Sequence, residues 1–280
     1  MTISSYPSYA ELLEVAVEAA RVGADSLRQH FRRADLEITE KSRHDFVTHA
    51  DHESERRILE VIQGHFPEHT VLAEESGFTD GEEEQFTWII DPLDGTSNFL
   101  QGLPNFCISI ACRQGREVVA GVVFEPLGEQ LFCGTLGGGA TWNGKKMSVS
   151  RRPGLEGAFL ATGYPFRARA ALDLYLDVFR DVFLASRGIR RCGAAALDLA
   201  YTAAGVYDGF FEFRLSPWDV AAGTLLIQEA GGSVTDLDGT FGFMESGNLV
   251  AGPPDLQREL LGLMQQHVSE ARLDALEPRE

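Results

Sequence analysis

Asp91 and Asp94 stand three residues apart with a proline between them, directly after the apolar run Trp88-Ile89-Ile90. An apolar run from Phe86 to Ile90 stopped by Asp-Pro suits a buried strand. Ligands in α/β sheets gather at the carboxyl ends of such strands. Two carboxylates fixed there repel each other, so a cation binds between them or one takes up a proton. Oxygen-only donors favour a hard cation, Mg²⁺ before zinc. Gly95-Thr96-Ser97-Asn98 follow at once, and a Gly-Thr-Ser turn opening a helix offers backbone N–H groups to a phosphate. Metal ligands beside an anion cradle point to metal-assisted phosphoryl chemistry; the alternative is an Asp-Pro turn and helix cap with no chemistry.

Other acids pose the same choice. Ser216 reads as an N-cap and Pro217 as the first helical residue, so Asp219 falls at the third position, where an acid is favourable in any protein. Asp51 near the start of a helix is equally ordinary. Glu74 and Glu75 are not distinguished by spacing, and Glu212 ends an apolar strand, either as a buried ligand or as an exposed strand end. From Leu72 to Asp94 there are eight acids and no base; Glu82, Glu83 and Glu84 among them read as a solvated loop. The histidines read as surface residues: His49 and His52 flank Asp51, and the i, i+4 pair His65 and His69 is broken by Pro67 with no glutamate after His65, unlike a zinc-protease motif. Gly139 to Lys146 spells G-x-x-x-x-G-K-K, one residue from a phosphate-binding loop, but Lys146 replaces the magnesium-binding hydroxyl and no helix follows. There is no Gly-x-Ser-x-Gly elbow, which argues against a serine hydrolase.

The elements that must position these residues alternate. Apolar spacing predicts helices over 8–33 and 50–66, then strands 107–113 and 117–125 around a Gln114-Gly115 turn. Asn143-Gly144 between strand-like runs predicts a hairpin. In the second half, strands at 158–162, 209–213 and 233–235 alternate with helices at 170–185, 194–207, 217–230 and 255–267. Such alternation means a layered α/β or mixed α+β protein. The expected organisation is one unit over 1–280, with subdomains 1–150 (metal- and phosphate-binding) and 151–270 and a polar tail at 271–280. Over 280 residues, 24 Lys plus Arg against 42 Asp plus Glu give a net charge of −18. That argues against direct nucleic-acid or membrane-surface binding, both of which call for a basic face. The N-terminus carries no Lys or Arg before Arg21 and no apolar core of a secretory signal. The 4 cysteines show no CxxC pairing, which fits buried, reduced thiols and a cytoplasmic location.

Asp91-Pro92-Leu93-Asp94-Gly95-Thr96-Ser97-Asn98-Phe99 also resembles the first signature of the inositol monophosphatase family. Three further segments match in order: Asp45-Phe46-Val47-Thr48-His49-Ala50-Asp51, Glu74-Glu75-Ser76-Gly77, and Trp218-Asp219-Val220-Ala221-Ala222-Gly223 leading to Glu229-Ala230-Gly231-Gly232. With Gly209-Phe210-Phe211-Glu212, the chain is most similar to the bacterial inositol-1-monophosphatase branch. The resemblance implies a layered α-β-α-β-α sandwich of the sugar-phosphatase type and a homodimer. It also implies two to three Mg²⁺ ions and inhibition by Li⁺. By resemblance, Glu74, Asp91, Asp94 and the Leu93 carbonyl would hold one ion, Asp91, Asp94 and Asp219 a second, and Asp51 would help hold a third. Thr96 and Asp51, with Glu74, would act in catalysis by orienting the attacking water. Gly95 and Thr96 would take the phosphate. The substrate would also meet Leu93, Asp94, Gly193, Ala194, Ala195, Glu212 and Asp219.

The activity implied is hydrolysis of a small phosphorylated polyol or sugar, first of all inositol 1-phosphate to myo-inositol and phosphate, by direct attack of water. Relatives with these signatures also hydrolyse fructose 1,6-bisphosphate, histidinol phosphate, NADP or 3′-phosphoadenosine 5′-phosphate. A pocket lined by Arg190, Arg191 or Arg214 would favour a bisphosphate or nucleotide; Arg214 could instead pair with Glu212. The chain departs from the animal enzymes at Lys41, which precedes Asp45 by one residue fewer, and at Phe213-Arg214-Leu215-Ser216, where those enzymes carry a histidine. Some bacterial relatives contact the transcription machinery, so a regulatory binding protein on the same fold is the rival from another class.

Overall fold

The Ser8 hydroxyl accepts from the Glu11 backbone N–H, and the Glu11 carboxylate accepts from the Ser8 N–H at 2.7 Å. This reciprocal cap starts the first helix, α1 (Tyr9–His30), whose buried stripe includes Leu12, Val15, Ala19 and Leu27. The computed structural model describes residues 6–33, 38–42, 45–78, 86–166 and 168–268. The expected acidic loop with Glu82, Glu83 and Glu84, the Lys41 and Asp45 side chains and the tail at 271–280 lie outside the described residues. After α1 come β1 (Ile38–Ser42), β2 (Asp45–Thr48), α2 (His49–His65), β3 (Thr70–Ala73), β4 (Gly77–Phe78), β5 (Phe86–Asp94) and the short α3 (Thr96–Leu100). Strands β6 (Cys107–Gln114), β7 (Glu117–Glu125), β8 (Gln130–Thr135), β9 (Gly139–Trp142) and β10 (Lys145–Lys146) follow. The rest alternates: β11 (Phe159–Thr162), α4 (Leu172–Ala185), β12 (Gly188–Arg190), α5 (Ala195–Ala203), β13 (Gly209–Glu212) and α6 (Pro217–Glu229), then β14 (Ser233–Thr235), α7 (Phe243–Ser246), β15 (Leu249–Gly252) and α8 (Pro254–Gln265).

Two sheets carry the layers. The first has the strand order β10-β9-β8-β7-β6-β5-β3-β4 and is antiparallel except for the β3–β5 pair. The second runs β12-β11-β13-β15-β14, with β11 parallel to both its neighbours. Side chains alternate across each strand. Trp88 and Ile90 of β5 therefore face α1 and α2, while Ile89 faces α5 and α6. In the second sheet Phe210, Leu249 and Ala251 face that same α5–α6 layer, and Phe211 and Val250 face α4 and α8. The order is thus α-β-α-β-α, the sandwich expected. Both sheets are covered on both faces, which is why their central strands read as continuous apolar runs.

Several boundaries differ from the sequence pattern for physical reasons. Strand β5 does not stop at Ile90 but continues to Asp94. Asp91 pairs with Ser109 and Asp94 with Cys107, so Pro92 and Leu93 form a bulge, the one kind of interior strand position that tolerates proline. The helix expected over 194–207 ends at Ala203, because Gly205 turns into the left-handed region at φ 71°. The near-phosphate loop at 139–146 is the β9–β10 hairpin, and the anion beside it belongs to the protein. Glu229 accepts the Gly137 and Gly139 N–H groups at 2.8 and 2.7 Å. Among the cysteines, Cys107 and Cys112 are buried as expected, but Cys133 and Cys192 are half-buried. No described helix is long and apolar enough to cross a membrane.

The middle layer mixes alanines with leucines, and its closest approach is at a glycine. A Cβ at Gly223 of α6 would stand 2.5 Å from Leu199 Cβ of α5. Gly223→Val should therefore force the two helices apart and cost about 1–3 kcal/mol, read as a lower urea midpoint at unchanged slope. An unchanged midpoint would show that this contact yields without strain.

Candidate functional site

Four helices, α2, α3, α5 and α6, begin beside one cleft between the two sheets. The end of β5 supplies Asp91, Leu93 and Asp94, the residue after β3 supplies Glu74, and the end of β13 supplies Glu212. Thr96 opens α3, Gly193 to Ala195 lead into α5, and Asp219 lies in the first turn of α6. Helix N-termini carry partial positive charge and unpaired N–H groups, so they favour anions here. Gly95 is required at the turn: its φ is 93°, and a Cβ would stand 3.0 Å from the Asn105 carbonyl oxygen.

The carboxylates are fixed by a repeated device in which one oxygen accepts a backbone N–H. Asp91 Oδ1 accepts from Leu93 N at 2.9 Å, and Asp94 Oδ2 from Ala196 N at 2.8 Å. Asp219 Oδ2 accepts from Ser216 N at 2.7 Å, and Asp51 Oδ2 from Thr48 N at 2.9 Å. Asp51 and Asp219 thus occupy the capping position that their sequence context indicated. Thr96 Oγ1 lies 3.2 Å from Asp51 Oδ1 and 3.1 Å from the Leu93 carbonyl. Asn98, inside the first signature, ties the cleft together: its Nδ2 donates to the carbonyls of Asn105 (2.7 Å) and Cys192 (2.9 Å). Between Glu74 and Glu75 it is Glu74 that lines the cleft, while the Glu75 N–H donates to Glu55 Oε2 at 2.9 Å.

Burial sets the electrostatics. Asp91 is 1% exposed. Loss of water, then the Glu74, Asp94 and Asp219 carboxylates, push it well above the carboxylate range. Burial and Asp219 raise Asp94 to about 7. Asp91, Asp94 and Asp219 each offer an oxygen within 4.8 Å of the others. Three buried carboxylates this close together, with oxygen donors only, fit a hard divalent cation.

Outside that cluster the cleft has a second polar wall. Burial, followed by Asp219 and Asp198, holds Glu212 up, and Arg191 opposes this. Asp198 is also raised, by burial and then Asp94, again against Arg191. Asp198 was not singled out by the sequence pattern. Its signal was a lone acid in the otherwise uncharged run Ala194–Ala204. Of the three arginines, Arg191 lines the cleft, with its guanidinium carbon 5.0 Å from the centre of the Tyr164 ring. Arg190 lies over Phe159 instead. Arg214 donates to the Ser246 carbonyl at 3.2 Å, so neither expected role for it is seen. Half-buried His30, His69 and His267 correct the surface reading of the histidines, and His69 stacks on Phe66 and Phe86 and accepts from Trp88 Nε1 at 3.1 Å.

The family model of the inositol monophosphatase family matches residues 8–270. The chain belongs to that family. It is 44% identical over 262 residues to the Nus factor SuhB of Pseudomonas aeruginosa, covering 92% of this chain and 97% of the relative. The Nus factor SuhB of Escherichia coli K12 is likewise 44% identical over 262 residues, with 93% and 98% covered. Among solved structures, the extragenic suppressor protein suhB from Bartonella henselae superposes with a TM-score of 0.89 at 39% identity, over 92% of this chain and all (100%) of that one. The inositol monophosphatase from Anabaena gives 0.83 at 35% identity, over 94% and 98%. Asp91, Leu93, Asp94, Gly95, Thr96 and Ser97, from the segment that resembles the family's first signature, line the acidic cleft.

The raised carboxylates have a consequence for stability. A folded-state pKa above the unfolded value of about 4 means that the native protein holds protons which the unfolded chain has released. Metal-free protein should then lose stability as pH rises from about 4 through the folded value of about 7. Mg²⁺ should offset that loss, so its gain in Tm should be larger near pH 8 than near pH 5. A Tm gain independent of pH would contradict this origin.

Proposed function

We propose that the protein hydrolyses a small phosphate monoester with the help of divalent metal, and that inositol 1-phosphate is its first candidate substrate. The observation that carries this reading is the Asp91, Asp94 and Asp219 cluster beside the helix N-termini. Glu74, Asp91, Asp94, Asp219 and the Leu93 carbonyl would hold Mg²⁺, with Asp51 contributing to a further ion. Bound Mg²⁺ would polarise the phosphate, lower the pKa of the attacking water and stabilise the leaving alkoxide. The chain's own part follows from its hydrogen bonds. Thr96 Oγ1 donates to Asp51 Oδ1 or to the Leu93 carbonyl and so keeps lone pairs for the proton of the attacking water. The N–H groups of Gly95 and Thr96 would receive phosphate oxygens. Asp94, Glu212, Asp219 and the Gly193-Ala194-Ala195 backbone would orient the hydroxyls of a polyol. Arg191 favours keeping fructose 1,6-bisphosphate and 3′-phosphoadenosine 5′-phosphate among the alternatives, because a guanidinium at the rim suits a second phosphate.

A second reading rests on the name Nus factor carried by the SuhB relatives, which suits a protein that contacts the transcription machinery. The two readings are compatible on one fold and separable by one variant. Asp91→Asn keeps an oxygen acceptor for the Leu93 N–H and removes a charge, so it should fold as well as wild type. Its kcat should fall by at least ~10²-fold, about 2.7 kcal/mol of transition-state stabilisation. EDTA should abolish phosphate release from all four of inositol 1-phosphate, fructose 1,6-bisphosphate, histidinol phosphate and 3′-phosphoadenosine 5′-phosphate. Turnover retained in excess chelator would overturn the metal-assisted mechanism, full turnover by Asp91→Asn would overturn the role of the cluster, and capture of transcription proteins by Asp91→Asn would support the second reading.

A further inference from the structure

A separate cluster of metal-ligating atoms lies where the end of α1 meets the start of α2. His30 is the last residue of α1, His49 the first of α2, and Glu53 stands one turn after His49. The i, i+4 spacing puts His49 and Glu53 on one face of α2. Packing of Ala24 and Leu27 of α1 with Ala50 and Ile58 of α2 brings His30 against that face. Glu53 Oε2 lies 2.7 Å from His30 Nε2 and 3.8 Å from His49 Nε2. The two imidazoles meet edge to face with centroids 5.5 Å apart. Arg57 holds the other Glu53 oxygen, Oε1, at 2.5 Å, so the carboxylate is oriented with Oε2 toward both rings.

An ion pair between His30 and Glu53 is favourable on its own, and a base in the last turn of α1 suits the helix dipole. It does not explain why His49, whose side chain is 61% exposed, also turns Nε2 toward the same oxygen. We propose that His30, His49 and Glu53 form a site for a divalent transition metal of the zinc class, distinct from the acidic cleft. Two imidazole nitrogens and one carboxylate oxygen are a donor set for Zn²⁺ and its neighbours rather than for Mg²⁺. Ligand bonds of about 2.0–2.1 Å at a tetrahedral angle place ligand atoms about 3.3 Å apart. The 2.7 and 3.8 Å separations bracket that value, and all three ligand atoms lie within 4.8 Å of one another, so seating an ion needs side-chain rotations without movement of the helices. The solvent side by His49 leaves room for water as a further ligand. The ion would clip the end of α1 to the turn that carries Asp51, between His49 and Glu53.

The test is Zn²⁺ titration of the full chain in excess Mg²⁺, with Co²⁺ absorption as a geometric probe. One ion per chain should bind, and His49→Gln and His30→Gln should each weaken it by at least about tenfold, since loss of even an outer partner of a metal ligand costs 10–100-fold. Asp219→Asn should leave this site unchanged. Zn²⁺ should raise the wild-type Tm and not that of His49→Gln, whose exposed position keeps the fold intact. Equal Zn²⁺ binding by wild type and His49→Gln would overturn the proposal, as would loss of binding only in Asp219→Asn, which would put the ion in the cleft.

Discussion

Mutual repulsion among buried carboxylates is the constraint on which the architecture turns. Asp91, Asp94 and Asp219 converge within 4.8 Å at the floor of the cleft, where each is buried from bulk water. Removing an ionised carboxylate from water costs several kcal/mol even after relaxation, and each neighbour adds to that cost. A fold that keeps three of them together must hold each side chain against its tendency to swing away. The shared device is a backbone N–H on one carboxylate oxygen, supplied by a bulge at Asp91, by the start of α5 at Asp94 and by a helix cap at Asp219. The bond serves two ends at once, because it partly neutralises the acid and fixes the direction of its second oxygen.

That device explains the placement of the helices. The Asp94 carboxylate occupies an N–H of the first turn of α5, and Asp51 and Asp219 cap their own helices. The acids are therefore part of how α2, α5 and α6 begin, and not additions to a finished scaffold. Replacing one with an apolar residue would expose unpaired N–H groups as well as remove charge. Replacing it with its amide keeps an acceptor, which is why charge and fold can be separated experimentally.

Legibility in the sequence followed the range of the interactions. The capping acids at Asp51 and Asp219 were visible because a cap is a contact across three residues, and the β6–β7 and β9–β10 hairpins because their turns are local. The five-layer order became specific only through the resemblance to a family, since alternation alone allows several layered folds. What stayed hidden depends on distant partners. Glu229 looked like part of a signature, yet it holds the Gly137 and Gly139 N–H groups of a turn 90 residues away or more. His69 looked like surface until Trp88 and Phe86 of another element enclosed it. His30 carried no signal, because its partners His49 and Glu53 lie on the next helix. Strand β15 (Leu249–Gly252) went unassigned because four residues show no period of their own and depend on β13 and β14 for every ladder bond.

The middle layer shows how packing and chemistry constrain each other. Helices α5 and α6 are enclosed by a sheet on either side, and Ala195, Ala196, Ala200, Ala221, Ala222 and Gly223 leave room among the larger Leu197, Leu199, Leu226 and Ile227 for close approach. Small side chains let two helix axes approach closely, and the same closeness brings both N-termini to one mouth. Their partial positive charges then face the carboxylates that β5 and β13 deliver from the two sheets. A longer side chain in that layer would separate the helices and, with them, Asp94 from Ala196. The single acid in the run, Asp198, is tolerated because it lines the cleft, where Arg191 offsets part of its charge. The formal charge of −18 therefore divides into a solvated surface and a buried set whose geometry depends on alanines.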